Sequence, residues 1–392
     1  MTAAMKDLSF PTHPGGQANF KTGVESKRPD LLFMSYHLGR DWKRIESTFV
    51  SKTSRGDVLP SKSKLFLQLD EAARRVLTNS RGLFNFHRFW CALLIVLLIV
   101  FVVVHAIYLS LATCLILSFL FISYSFNVFH MRHHTGGNLF GWKPLDEFLN
   151  PILDFVDNSF MVTPHVWINN HQGFHHLYTN HTEKDRDLYF PYSFLRLSET
   201  YEWKWFHKFQ PIYTPLVLAL NLLTFPWENY FVNKSNIAYL FMHLLLLVGL
   251  GGLLNGDLLR SLLMYISLEL LSSLIIALMF QVSHNSHSTV MKCPITSSDH
   301  LITFDEWIEQ QVCETISWGG FFPTLFFGGI NLQIEHHVAP AFPSLLLYKL
   351  QPELRRICRE HNIPYTGFPS MTQPLKEYYA HLVACSLPPK SE

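Results

Sequence analysis

The stretch FWCALLIVLLIVFVVVHAIYLSLATCLILSFLFISYSFNVF, residues 89–129, runs for 41 residues without an Asp, Glu, Lys or Arg. It is followed at once by His130-Met-Arg-His133-His134. As one helix it would extend roughly 60 Å, about twice a hydrocarbon core of ~30 Å. It therefore reads as a hairpin of two spans turning near His105–Ser110. A second apolar stretch, Asn236 to Phe280, is broken by Gly249-Leu-Gly-Gly-Leu-Leu-Asn-Gly-Asp257. Gly and Asn supply turn conformations there, which predicts a second hairpin. Residues 1–88 hold fifteen Lys and Arg against eight acidic residues, whereas neither turn carries a basic residue. The positive-inside rule then places both termini in the cytosol and both turns across the membrane. The expected fold is all-α and integral to the membrane: four transmembrane helices in two hairpins, with a cytosolic helical cap. Phe209–Trp227 is apolar too, but Pro211, Pro215 and Pro226 interrupt it. A crossing there would separate the histidine groups described next, so it is read as interfacial or re-entrant.

Composition agrees with a membrane chain. Of 392 residues, 16% are charged, against about 25% in soluble domains. Hydrophobic residues make up 48% and aromatics 15%. These values argue against a disordered chain or a small disulfide scaffold. A net charge of +1 gives no reason to expect a nucleic-acid partner. Histidine is the anomaly, with 21 residues against 19 glycines.

Ten of those histidines fall in short clusters just outside the spans. His130 and His134 are four residues apart on one helix face, a good separation for one metal ion. In His171-Gln-Gly-Phe-His175-His176 the first two share a face, while His176 is turned about 100° away and could reach a second ion. Gln333-Ile-Glu-His336-His337 forms the third cluster, and His284 and His287 leave the last span. All four groups meet one cytosolic face in the expected topology. A lone histidine at an interface is usually a polar cap, the reading given to His87, His105, His243 and His381. For His133 and His287 that bland reading is at least as good as ligation. The chain has no His-Glu-x-x-His zinc motif and no Glu-x-x-His pair of a soluble di-iron bundle. Many nitrogen ligands beside a bilayer, with a need for redox chemistry, point to two irons activating oxygen against a hydrocarbon chain.

At this point the chain resembles the membrane fatty acid desaturases, and specifically the front-end type often fused to cytochrome b5. The residues that carry the resemblance are His130-x-x-x-His134, His171-x-x-x-His175-His176 with Tyr178-Thr179-Asn180, and Gly328-Gly329-Ile-Asn331-Leu-Gln333-Ile-Glu-His336-His337. Asp185-Arg-Asp187 and Ile363-Pro364-Tyr365 are supporting matches, and the likeness covers about residues 85–370. Gln333, in place of the first His of the third box, is the front-end mark. The resemblance implies that His130, His134, His171, His175, His176, His284, His336 and His337 bind two irons, with Gln333 a weak ligand or an orienting group. It also implies O2 as co-substrate and a fatty acyl substrate linked to coenzyme A or to lipid. Electrons would come from cytochrome b5 and its reductase, in the endoplasmic reticulum membrane, with the active site cytosolic. Met131 and Gln172 stand where the family usually has Asp and Asn, which bears on the hydrogen bonds around the ligands. Trp167, Trp203, Trp205 and Trp227 are candidates for the mouth of an acyl tunnel, or simple interfacial anchors.

The N-terminus adds a second likeness. His13-Pro-Gly-Gly16 resembles the haem motif of cytochrome b5, and Tyr36-His37 follows at a matching interval. Only twelve residues precede His13, so a truncated domain or a degenerate relic is favoured over an unrelated turn. Axial histidines without a closed apolar pocket hold haem b poorly. The expected organisation is a partial cytochrome b5-like segment over 1–60 and a basic linker or interfacial segment over 61–88. The desaturase domain follows over 89–375, with a tail over 376–392. Leu345–Arg359 reads as an amphipathic helix with Leu346, Leu350 and Leu354 on one face. The rivals are a sphingolipid desaturase or acyl hydroxylase with the same boxes, and a histidine-rich metal transporter. A transporter would place ionisable ligands at mid-span. Here only Glu269 lies that deep.

Overall fold

A computed structural model describes residues 17–26, 28–45, 62–160, 167–181, 184–185, 187, 194–221, 241, 244–292 and 303–389. The haem-ligand candidate His13, and also Trp227 and His243, lie outside the described residues. Helices α1 (Gln17–Glu25), α2 (Pro29–Tyr36) and α3 (Lys64–Asn79) precede the membrane region.

The first hairpin turns where the sequence places it. Helix α4 (Arg81–Tyr108) ends on Leu109 at φ 42°, and Ser110 starts α5 (Leu111–Tyr124) with a reciprocal cap to Thr113. His105 Nδ1 lies 3.0 Å from the Thr113 hydroxyl, in keeping with its reading as a polar cap. Phe89, Val96, Ile99, Val103 and Ile107 on α4 are exposed, an apolar face suited to lipid. The second span continues from α5 through a π-helical turn, Ser125–His130, into Met131–His134.

The chain turns at Gly256 (φ 76°), within the Gly-rich break, between α9 (Leu250–Asn255) and α10 (Leu258–His284). Asp257 caps α10 by accepting the Arg260 N–H at 2.9 Å. The two hairpin tips meet, because Asn255 Nδ2 donates to the Ile107 carbonyl at 2.6 Å. Among the described residues three helices are long and apolar enough to cross a membrane: Arg81–Tyr108, Leu111–His134 and Leu258–Thr289. The remaining expected span, before Leu250, is described almost only from residue 244 onward.

Three further helices complete this region. Helix α6 (Lys143–Phe160) follows the first histidine cluster. A second π-helical stretch, α7 (Ile168–His175), carries the next cluster. In the Pro-rich stretch, α8 (Gln210–Ala219) has ten residues. The described helix is roughly 15 Å long, half a hydrocarbon core, and it packs against α10.

The cap is built on α11 (Phe304–Cys313), α13 (Gln333–Val338) and α14 (Leu347–Glu360). Its apolar core joins Leu65, Phe66, Trp307, Ile308, Leu350 and Leu354, so Leu346, Leu350 and Leu354 do share a buried face. In the stretch read as a basic linker or interfacial segment over 61–88, α3 buries Leu65, Phe66 and Leu69 in this core. Its apolar residues at helical spacing decide that. The stretch from 376, expected as a tail, belongs to α15 (Thr372–Ser386), which buries Tyr378, Leu382 and Cys385 against the membrane helices. Two short parallel strands, β1 (Ser317–Trp318) and β2 (Gly367–Phe368), tie the third box to the chain's end.

One crossing fixes the third box against the second span. Asn127 Nδ2 donates to the carbonyls of Leu325 and Phe326 at 3.0 and 3.1 Å, at the end of α12 (Phe321–Phe326). Gly328 follows at φ 54°, and a Cβ there would lie 2.4 Å from the Phe126 carbonyl and 2.7 Å from Asn127 N. Only glycine allows both the backbone conformation and that approach. Gly328→Ala is expected to cost about 3 kcal/mol or more, read as a lower thermal midpoint of the purified chain in detergent.

Candidate metal centre

Four segments deliver the candidate ligands to one buried place. The π-helical end of the second span brings His130 and His134, with ring centroids 4.6 Å apart. α7 brings His171, His175 and, just beyond its end, His176; the end of α10 brings His284, and α13 brings Gln333, His336 and His337. All nine side chains are buried.

The ring nitrogens fall into two groups. His130, His134, His171 and His336 place one nitrogen each within 4.8 Å of one another. His175, His284 and His337 form the second such group. Gln333 joins the second, with its amide nitrogen 2.8 Å from His284 Nε2 and 3.2 Å from His337 Nε2. His176 sits between the groups. Its Nε2 is 3.2 Å from His171 Nε2, and its ring centroid is 4.4 Å from that of His337. The extra members stay apart: His133 Nδ1 pairs with the Phe129 carbonyl at 2.7 Å, and His287 joins neither group.

Several buried atoms of the cluster have no hydrogen-bond partner: Nε2 of His134, His175 and His336, Nδ1 of His176 and His284, and Oε1 of Gln333. Buried nitrogens left in this state are costly unless something coordinates them. Burial and the neighbouring imidazoles hold His171, His176, His336 and His337 well below the usual histidine range. At neutral pH these rings are uncharged, the form that binds a metal. His175 goes the other way. Burial would lower it, but the carboxylates of Asp185 and Asp187 outweigh that and raise it.

The outward nitrogens are held by the residues of the supporting motifs. His171 Nδ1 lies 2.6 Å from Asp187, and His175 Nδ1 lies 2.9 Å from Asp185. Asp185 also accepts the Asn180 N–H at 2.8 Å and the Asp187 N–H at 2.9 Å. Asn180, at φ 57°, donates its amide to the carbonyls of His284 and Glu314 at 3.0 and 2.9 Å, so it links the second box to the last span. Thr179 donates to the His175 carbonyl. On the third box, Glu335 accepts from Ser317 at 2.7 Å and Tyr365 at 2.5 Å. Burial pushes its carboxyl up to about 7, and these bonds oppose the shift.

Two partners carried no signal in the sequence. Gln311, on α11, places Oε1 2.8 Å from His337 Nδ1. Tyr36, far from any box, places its hydroxyl 3.0 Å from His134 Nδ1. The atypical residues are also accommodated: Gln172 donates to the His133 carbonyl at 3.0 Å, and Met131 Sδ accepts from Ser344 at 2.9 Å. His37, the described member of the haem pair, has its Nδ1 2.7 Å from the Phe33 carbonyl and its ring beside Phe33 and Trp42.

An apolar wall faces the first group. Trp167 stacks on His171 at 4.2 Å, and Phe129 and Phe280 lie 5.4 and 6.3 Å from the Trp167 ring. Trp203 bonds to the Ser386 carbonyl and Trp205 is exposed, so neither lines this wall.

Comparison with known proteins gives a concordant result. Residues 107–369 match the family described as Fatty acid desaturase. The acyl-lipid (7-3)-desaturase, chloroplastic, of Chlamydomonas reinhardtii is 27% identical over 55% of this chain and 46% of its own length. Delta(5) fatty acid desaturase A of Dictyostelium discoideum is 24% identical, covering 95% of this chain and 86% of its own. The acyl-lipid (7-3)-desaturase of Rebecca salina is 24% identical over 97% and 88%. The chain spans about half the length of two of the curated relatives it matches, 46% and 52%. No solved structure matches the chain.

Asp185→Asn keeps the size of the side chain but weakens the acceptor that holds His175. Metal affinity at the second group is expected to fall by about 10- to 100-fold, measured by chelator competition on the purified chain.

Proposed function

The chain belongs to the fatty acid desaturase family, and from that premise we propose that it is a front-end acyl desaturase with two irons held at the cytosolic ends of its spans. The observation that carries this reading is the pair of buried histidine groups, in which Nε2 of His134, His175 and His336 has no hydrogen-bond partner. His130, His134, His171 and His336 would hold one ion. His175, His284, His337 and Gln333 would hold the other, with His176 between them. When bound, the irons supply the O2-dependent oxidising chemistry that removes two hydrogens from neighbouring methylenes.

The protein's part is binding, orientation and exclusion of water. Asp185, Asp187 and Gln311 take the outward N–H of His175, His171 and His337, which leaves the inward nitrogen of each as a lone pair. Trp167, Phe129 and Phe280 form an apolar wall against which one stretch of acyl chain would lie, with water kept off the reacting carbons. Gln333 supports the front-end assignment: a neutral amide in place of an imidazole leaves the second group with a weaker donor. The printed names of the relatives, Delta(5) and acyl-lipid desaturases, point to a carboxyl-proximal double bond in a lipid-linked chain. Cytochrome b5 and its reductase would supply electrons at the cytosolic face, in the endoplasmic reticulum membrane.

Expression in yeast fed defined unsaturated fatty acids tests the reaction. A new cis double bond on the carboxyl side of an existing one is expected by mass spectrometry. The absence of new unsaturation with every acid fed, in cells whose chain carries two irons, would overturn the proposal. His336→Ala is expected to leave no product, since no other third-box nitrogen reaches the first group.

A further inference from the structure

The sequence directs attention to residues 13–37 as a haem motif, but the described part of that segment docks on the histidine cluster. Helix α1 lies against α7, and Asn19 Nδ2 donates to the His133 carbonyl at 2.7 Å. Leu31, Leu32 and Met34 of α2 are buried in the cap core. Asp70 on α3 anchors the next turn by accepting from Gly39 N at 2.7 Å and Trp42 Nε1 at 2.9 Å. These contacts set Tyr36 above the first box. Its hydroxyl is 3.0 Å from His134 Nδ1, and its ring stacks on the imidazole at 6.0 Å and 23°.

The opposite nitrogen, His134 Nε2, is buried and unpartnered within the first group. For Nε2 to present a lone pair, the proton must sit on Nδ1. His134 Nδ1–H then donates to the Tyr36 oxygen. His171 and His175 use carboxylates for this purpose, whereas His134 uses a neutral hydroxyl from outside the family's boxes. We propose that Tyr36 is a positioning residue for His134, so that the N-terminal segment is a working part of the metal centre. This rests on the two-metal reading above. A phenol accepts more weakly than a carboxylate, so His134 is the least basic of these three imidazoles. It is also the ligand whose geometry depends on a separately docked segment.

The test uses the purified full chain in detergent, with Co(II) as the probe. Wild type is expected to take up two ions per chain. Tyr36→Phe keeps the ring and removes only the hydroxyl. One of its two ions should bind about 10- to 100-fold more weakly, with the metal-free thermal midpoint unchanged. Phe33→Leu loosens the same segment next to Trp42 without touching His134, and should leave both affinities at the wild-type value. Wild-type affinity at both positions in Tyr36→Phe would overturn the proposal. So would an equal weakening in Phe33→Leu, because the effect would then be one of packing. A wild-type chain that binds fewer than two ions would instead overturn the metal-centre reading on which Tyr36 depends.

Discussion

Burying many imidazoles together is the constraint on which this structure depends. Rings that point one nitrogen inward need a partner for the other. The chain meets that demand from outside the cluster, with Asp187 on His171, Asp185 on His175, Gln311 on His337 and Tyr36 on His134. Those partners sit on the loop after α7, on α11 and on α2. The cap is therefore the scaffold that fixes the tautomer and direction of each ring, besides covering the site.

The long apolar helices impose the complementary constraint. Their tips are tied together by Asn255 and Ile107, and their other ends release His130, His134 and His284 on the same side. The π-helical turns that end the second span and carry the second box lie at the histidines themselves, as such turns often do at functional sites. The third box reaches the spans because Asn127 holds the end of α12 and Gly328 lets the two backbones touch. A side chain at 328 would separate His336 from His130 by forcing those backbones apart.

Much of this was legible beforehand, for identifiable reasons. The 41-residue uncharged run exceeds one membrane thickness, so a hairpin was required, and Leu109–Ser110 lies within the expected turn. The box histidines converge because their spacing puts them on common helix faces. The roles of Asp185, Asp187, Asn180 and Tyr365 were marked only as motif matches; the structure shows what each one holds. The stretches read as a linker and a tail are packed helices, since length and charge do not reveal which apolar face will find a partner.

Composition, run lengths and spacing alone determined that this chain is a helical membrane protein with histidines gathered at one end of its spans. Those properties are local: hydrophobic length must match the bilayer, and i,i+4 positions share a face whatever surrounds them. Only the tertiary structure decided how the histidines divide into two groups, and which residues hold their outward nitrogens. It also decided that the N-terminal segment rests on His134. These pairings join residues about 100 or more positions apart in places, such as Tyr36 with His134 and Asn180 with His284. Such contacts follow from how helices pack in three dimensions, for which no short stretch of sequence carries a period or a motif.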